Sequence, residues 1–229
     1  MIRVENVTKV FNPGRPSEYT ALRGVSVVTL ENKVTVLRGP SGSGKTTLLS
    51  LMGCMTRPTS GRIYLGERNI SSLPERFLSE LRRTAFGFIF QSFNLIAGLT
   101  ALENVMVPSY PLGQPRGQVR ERAAALLEKF RLGSKIDQKI ENLSGGEKQR
   151  TAIARALIND PATIIADEPT ANLDTALSLE FLDIVGQLRA EGKTFVIASH
   201  DALVHEAAVV DEVVSLRDGL VVPTDRHAA

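Results

Sequence analysis

Gly39-Pro-Ser-Gly-Ser-Gly-Lys-Thr-Thr47 follows the apolar run Val34-Thr-Val-Leu37 and opens onto Leu48-Leu-Ser-Leu-Met52. Strand, glycine loop and helix in that order form the setting a phosphate-binding loop requires. Gly39, Gly42 and Gly44 let the backbone turn tightly and bring its N–H groups up to phosphate oxygens. The N-terminus of the following helix adds partial positive charge at the same place. Lys45 reaches the terminal phosphates, and the Thr46 hydroxyl suits the magnesium ion that travels with a nucleotide. A glycine- and serine-rich loop with a chance lysine is the bland alternative, and it does not explain the full spelling in this context. Gly39, Pro40, Ser41, Gly42, Ser43, Gly44, Lys45, Thr46 and Thr47 are therefore the candidate cradle for a nucleoside triphosphate.

The rest of the chain sets bounds on what that triphosphate serves. At 229 residues, the chain has room for one large α/β domain or a core with a subdomain. Apolar residues make up 43% and charged residues 23%, the balance of a folded protein and not of a disordered one. The formal charge of +2, from 27 basic and 25 acidic residues, is too even to argue for a nucleic-acid partner. The single cysteine, Cys54, allows no internal disulfide and reads as a small core residue in an apolar helical stretch. No uninterrupted apolar run reaches the roughly 20 residues of a membrane helix. Met1-Ile-Arg-Val-Glu-Asn6 does not read as a signal peptide. The expectation is a cytoplasmic chain, held at a membrane only through a partner.

Residues 2–11 alternate like a half-buried strand, 12–18 read as a loop, and 21–30, 34–38 and 61–66 read as further strands. The pattern predicts a helix over Pro74 to Arg83 with proline in its first turn. It predicts a strand over Phe86–Phe90 and helices over 99–107 and 118–131, the latter with Val119, Ala123, Leu126, Leu127 and Phe130 on one core-facing stripe. Pro108 to Pro115 reads as a loop. After it come a helix to about Ile158, a buried strand Thr163–Asp167, a helix over 175–190 and a buried strand Phe195–Ser199. Val213 to Val222 reads as a hairpin around Asp218-Gly219. The tail, Thr224 to Ala229, reads as frayed. Short apolar strands alternating with helices predict a largely parallel sheet covered on both faces.

Several polar residues fall where such a sheet gathers its ligands, at the carboxyl ends of strands. Asp167 is placed to hold magnesium through water, and Glu168 to polarise an attacking water as general base. A solvated acidic turn is the alternative, and the loop upstream argues against it. His200 ends another apolar strand and suits a hydrogen bond to the terminal phosphate. Gln91 follows the strand at 86–90, where its amide can touch magnesium or water and sense the γ-phosphate. Ser144, Gly145 and Gly146 present a hydroxyl and backbone N–H groups at a helix start, a second anion-binding device. Ser144 to Glu147 also has capping-box spacing, and both readings hold together. One nucleotide does not need two such cradles from one chain, so the second is expected to serve another copy.

At this point the sequence resembles the ATP-binding subunits of ABC transporters, over essentially its whole length. The marks are the loop at 39–47, Gln91 as the Q-loop glutamine, and Leu143-Ser-Gly-Gly-Glu-Lys-Gln-Arg150 as the family signature. Ala166-Asp-Glu-Pro-Thr170 matches the Walker B end, less bulky than usual before its aspartate. Asn172-Leu-Asp174 matches the D-loop, and His200 the switch histidine. The resemblance implies an α/β P-loop NTPase core with a mostly parallel sheet, an N-terminal antiparallel β layer and a helical subdomain, in one domain over 1–229. The core would take about 1–90 and 159–222, and the subdomain about 91–158. It implies ATP and Mg2+ as ligands, with Thr46, Gln91 and Asp167 at the metal. Lys45, Gln91, Glu168 and His200 would be catalytic, while Ser144, Gly145, Gly146, Glu147 and Asp174 would contact nucleotide. An aromatic near the N-terminus stacks on adenine in the family; Phe11 matches by position and Tyr19 is the rival.

The implied mechanism is a head-to-tail pair closing around two ATP and driving an integral membrane permease. Phe88-Ile-Phe-Gln-Ser-Phe-Asn-Leu95, Leu99-Thr-Ala-Leu-Glu-Asn-Val105 and Pro169-Thr-Ala-Asn-Leu-Asp174 look most like the lipoprotein-release and macrolide-efflux branch. Phe93, Leu95 and Ile96 are candidates to receive a helix of the membrane partner, against the alternative that they are core. The competing function is a soluble ABC ATPase acting on nucleic acid or ribosomes. Such proteins tend to carry two cassettes, long coiled-coil insertions or strongly basic patches, none of which this sequence has.

Overall fold

The computed structural model describes residues 1–223, so the expectation for Thr224 to Ala229 lies outside the described residues. The chain begins with β1 (Ile2–Phe11) and β2 (Tyr19–Thr29), then β3 (Val34–Arg38), α1 (Lys45–Met52), β4 (Ser60–Leu65) and β5 (Arg68–Asn69). Next come α2 (Glu75–Thr84), β6 (Phe86–Ile89), α3 (Ala101–Met106), α4 (Arg116–Lys129) and α5 (Gly145–Leu157). The last part holds β7 (Thr163–Asp167), α6 (Thr175–Ala190), β8 (Thr194–Ser199), α7 (Ala202–His205), β9 (Glu212–Arg217) and β10 (Leu220–Val222).

The strands form two sheets. β2, β1, β4 and β5 make an antiparallel sheet in that order, and β10, β9, β3, β8, β7 and β6 make the central one. In the central sheet only β10 runs antiparallel, joined to β9 through Asp218 and Gly219. Both turn residues have positive φ, 51° and 77°, as a two-residue hairpin turn of matching twist demands.

The central parallel strands are buried on both faces, which explains their unbroken apolar spelling. Phe195 and Ile197 of β8 pack with α3 to α6, while the intervening Val196 and Ala198 pack with α1 and the antiparallel sheet. Ile164 and Ala166 of β7 point to the first side and Ile165 to the second. Each large aliphatic side chain so buried contributes about 1.5–3 kcal/mol. The predicted stripe on α4 is present: Val119, Ala123, Leu127 and Phe130 are buried and Leu126 half-buried against the same cluster.

Four local expectations change. Pro74 precedes α2 with extended backbone (ψ 151°), so the helix starts at Glu75. Cys54 is buried but not helical: α1 stops at Met52, Cys54 turns left-handed at φ 60°, and Met55 N–H donates back to the Ser50 carbonyl at 2.7 Å. The helix predicted over 99–107 starts one residue after Thr100, whose hydroxyl accepts from Glu103 N–H while Glu103 accepts from Thr100 N–H. Most of the predicted loop from Pro108 onward is a 3-10 helix, Val107–Leu112, because proline's fixed φ suits a helix start where its missing N–H has no partner to lose.

Candidate active site

The phosphate loop joins β3 to α1 at the carboxyl end of β3, and His200, which follows β8, lines the same cleft. Gly44 caps α1 with left-handed backbone (φ 102°) and offers no side-chain bond to the helix start. A Cβ on Gly44 would lie 2.8 Å from both the Ala21 carbonyl and a Leu22 methyl, and one on Gly39 would lie 2.2 Å from the Leu216 carbonyl. Glycine is thus required at both positions by close backbone approach, beyond any wish for flexibility. A cleft of about 300 Å³ is lined by residues 41–47 together with Tyr19, Gln91, Glu168 and His200.

Lys45 is buried at the floor of this cleft. Its ammonium donates to the carbonyls of Gly39 (2.7 Å) and Pro40 (3.1 Å) and lies 3.4 Å from Glu168 Oε1. The other carboxylate oxygen of Glu168 lies 3.0 Å from His200 Nδ1 and accepts weakly from His200 N–H at 3.4 Å. Donation through Nδ1 leaves His200 Nε2 for another partner. Glu168 itself is left-handed (φ 45°), a conformation that costs a non-glycine residue about 1–2 kcal/mol. Its N–H donation to the Ala198 carbonyl at 2.9 Å holds it there, at the point where β7 ends beside β8. Backbone strain of this kind concentrates at functional sites.

Next to it, the Thr46 hydroxyl donates to Asp167 Oδ1 at 3.0 Å. Burial pushes the Asp167 carboxyl above its ordinary value; the Thr46 hydrogen bond opposes the rise and the neighbouring Glu168 adds to it. A desolvated carboxylate beside a hydroxyl is a pair of hard oxygen donors suited to a divalent cation that keeps most of its other positions for phosphate and water. Among the described residues no group of three or more His, Cys, Asp or Glu side chains could hold a metal by itself.

The predicted residues fall into two groups. The loop, Gln91, Asp167, Glu168 and His200 come together. Ser144, Gly145, Gly146, Glu147 and Asp174 do not line this cleft. Ser144 starts α5 with a complete capping box: its Oγ accepts from Glu147 N–H (3.3 Å) and Glu147 Oε2 accepts from Ser144 N–H (2.7 Å). That backbone N–H holds the Glu147 carboxyl below its ordinary value. Asp174 caps α6, accepting from Leu177 N–H at 2.9 Å, and Gly146 packs so closely on Leu177 that a Cβ would meet its methyl at 2.6 Å. Tyr19 lines the cleft and its hydroxyl donates to the Gly42 carbonyl at 3.3 Å. Phe11 is its direct partner in the β1–β2 register, exposed, with the Lys9 ammonium 4.9 Å from its ring. The two rings therefore share one face of the antiparallel sheet.

Two contacts escaped the sequence. Asn172 donates to the Gln91 carbonyl at 2.8 Å, and Arg155 of α5 donates to the carbonyls of Phe93 and Asn94. Phe93 and Asn94 both have positive φ, so the segment after Gln91 is a tight turn held by side chains from two other elements. Of the residues after Gln91, Leu95 packs into the helical core, Phe93 is half-buried and Ile96 is exposed. Among the described residues no helix is long and apolar enough to cross a membrane.

Comparison with known proteins agrees with this geometry. The family model described as "ABC transporter" matches residues 22–171, more than half of the chain. An uncharacterized ABC transporter ATP-binding protein of Thermotoga maritima is 42% identical over 230 residues, covering 99% of this chain and 96% of that protein. The macrolide export ATP-binding/permease protein MacB of Hyphomonas neptunium is 42% identical over 222 residues, covering 97% of this chain; the chain spans 34% of that relative's length. Among solved structures, the dimeric post-hydrolysis state of the ATP-binding cassette MJ0796 bound to ADP and Pi superposes with a TM-score of 0.88 at 37% identity, covering 97% of each chain. The chain thus belongs to the ABC transporter family, as one of its ATP-binding, ATP-hydrolysing subunits.

Proposed function

We propose that this chain closes with a second copy around two ATP molecules and so drives an integral membrane permease, at the inner face of the cell membrane, in lipoprotein, lipid or drug export or release. The observation that carries the proposal is the Glu168 carboxylate, held between Lys45 at 3.4 Å and His200 at 3.0 Å on the wall of the loop's cleft. Glu168 accepts a proton from the attacking water, and Lys45 exchanges its carbonyl contacts for the β- and γ-phosphates. His200 and Gln91 orient the γ-phosphate and the water. Thr46 and Asp167, with Gln91, hold Mg2+, which supplies charge neutralisation at the phosphates when bound. Phe11, with Tyr19 as the rival, stacks on adenine.

Ser144, Gly145, Gly146 and Glu147 of one copy, with Asp174, complete the nucleotide site of the other. The single domain divides into a core and a helical subdomain over about 91–158. The dimeric solved relative bound to ADP and Pi supports the pairing, and the MacB relatives, whose names join ATP-binding and permease parts, support the membrane partner.

A groove bounded by α2, β6 and α5 supports the permease reading. Phe88 and Phe90 stack in it with ring centres 6.0 Å apart, and Met55 and Ile96 stand exposed at its rim. An apolar helix of the permease docks there. The test is a pull-down from the host's own membranes with the Glu168→Gln protein and ATP. A multi-span partner with a large extracytoplasmic domain is expected. A partner of different architecture removes the export-branch assignment, and recovery of ribosomes or DNA removes the transporter reading.

A further inference from the structure

We infer that the permease segment entering this groove carries an acidic side chain, received by Arg83 and Arg155. The inference rests on the docking proposed above and adds the partner's chemistry. The groove holds about 270 Å³. A helix is about 10–12 Å across with its side chains, so the segment lies over the mouth and inserts side chains. Those side chains meet largely apolar walls, the amides of Asn94, Asn104 and Asn159, and cations. The charged residues that line the groove are Arg82, Arg83 and Arg155, and no Asp or Glu is among them.

The three arginines differ in what neutralises them. Arg82 is paired with Glu75. Arg83 donates only to carbonyls, those of Ser79 at 3.0 Å and Pro111 at 3.4 Å. Arg155 likewise donates only to the carbonyls of Phe93 and Asn94. Neither Arg83 nor Arg155 has an ion-pair partner among the described residues. Carbonyls satisfy N–H groups but leave the charge itself without a counter-ion. Arg155 is half-buried, and burial pushes it down to about 10. A carboxylate arriving with apolar neighbours supplies the missing anion and matches the walls at the same time, which is complementarity in both charge and surface.

The position has a consequence for coupling. Arg155 stands on α5, the helix that begins at Ser144, and it grips the turn that follows Gln91. A carboxylate drawn to Arg155 thus bears, through one side chain, on the far end of the helix that begins at Ser144 and on the turn that follows Gln91.

The test places a photoreactive benzoylphenylalanine at Ile96 in the Glu168→Gln protein, with ATP, in the host's own membranes. The crosslinked partner peptide is then sequenced. The inference expects an Asp or Glu in the crosslinked helical segment. It expects crosslink yield to fall about tenfold or more in Arg83→Gln and further in Arg83→Glu. Changing the partner's acid to arginine should restore yield with Arg83→Glu. Thermal unfolding of each soluble variant separates lost docking from lost folding. A crosslinked segment without a carboxylate, or equal yields from Arg83→Glu and the parent in folded protein, overturns the acidic anchor and leaves the docking site standing. Capture of no membrane protein at Ile96 overturns the docking reading and this inference with it.

Discussion

The chain carries two helix starts of the kind that bind anions, and they are built in opposite ways. At α1 the cap is a left-handed glycine with no side-chain bond and no acidic residue in the first turn, so the first N–H groups face the cleft unopposed. At α5 Ser144 and Glu147 cap each other, and the first turn is acidic. The carboxylates nearby shift in opposite directions: burial raises Asp167, and a backbone N–H lowers Glu147. The first start is thus prepared for an anion and a cation together, supplied from outside. The second is already satisfied by its own chain and retains only the Ser144 hydroxyl proton and the Gly145 region for a guest. On the proposed two-copy reading, a strong primary cradle and a weak, self-capped second one would let the pair close on ATP and still reopen.

The largest test of this asymmetry removes the base and keeps both cradles. Glu168→Gln should lower ATP turnover about 100-fold or more while leaving ATP bound and the subunit dimeric in size-exclusion chromatography. Turnover at the parent rate would remove Glu168 from the role given it. Next in size, Lys45→Ala strips the first cradle of its cation. ATP affinity measured by calorimetry should drop about 10- to 100-fold, the scale of a lost hydrogen bond to a charged group. Unchanged affinity would count against the loop as the primary cradle.

Ser144→Ala acts on the second cradle alone. Affinity of the dilute single subunit for ATP should hold, ATP-driven dimerisation should weaken, and loss of the cap should cost about 1 kcal/mol, a fall in Tm of about 2–4 °C. A fall in single-subunit affinity equal to that of Lys45→Ala would erase the distinction between the two starts. The smallest effect is in acid. NMR titration of the side-chain carboxyls should place Asp167 above 3.8 and Glu147 below 4.5, their ordinary values. Because the folded value of Glu147 is depressed, its contribution to α5 is present above about 4.5 and lost as pH falls through the lower, folded value. Shifts in the same direction for both groups would contradict the comparison.

Why the first cradle was so legible, and other contacts not, follows from sequence distance. The loop is spelled within nine consecutive residues, and its glycines are needed by close backbone approach at Gly39 and Gly44. Asp218-Gly219 was legible for a similar reason, since the hairpin needs positive φ at both residues. The capping box at Ser144 is another local spelling. Arg155, by contrast, meets its acceptors 61 and 62 residues away, and Asn172 meets Gln91 across 81 residues. No local pattern encodes those pairings; they depend on how α5 and the turn before α6 pack against the carboxyl edge of the sheet. Cys54 illustrates the intermediate case. The apolar run continues past Met52, but Gly53 and a left-handed residue end the helix inside it.

The strand order has a further bearing on how the protein is made. β3, which carries the phosphate loop, pairs only with β8 and β9, and β8 is what joins it to β7. Both neighbours of β3 emerge from the ribosome after residue 193 of 229. During synthesis β3 therefore stays unpaired until β8 and β9 have been made, more than 150 residues after it. A chain truncated before β8 retains the full loop sequence without either of the strands that pair with β3.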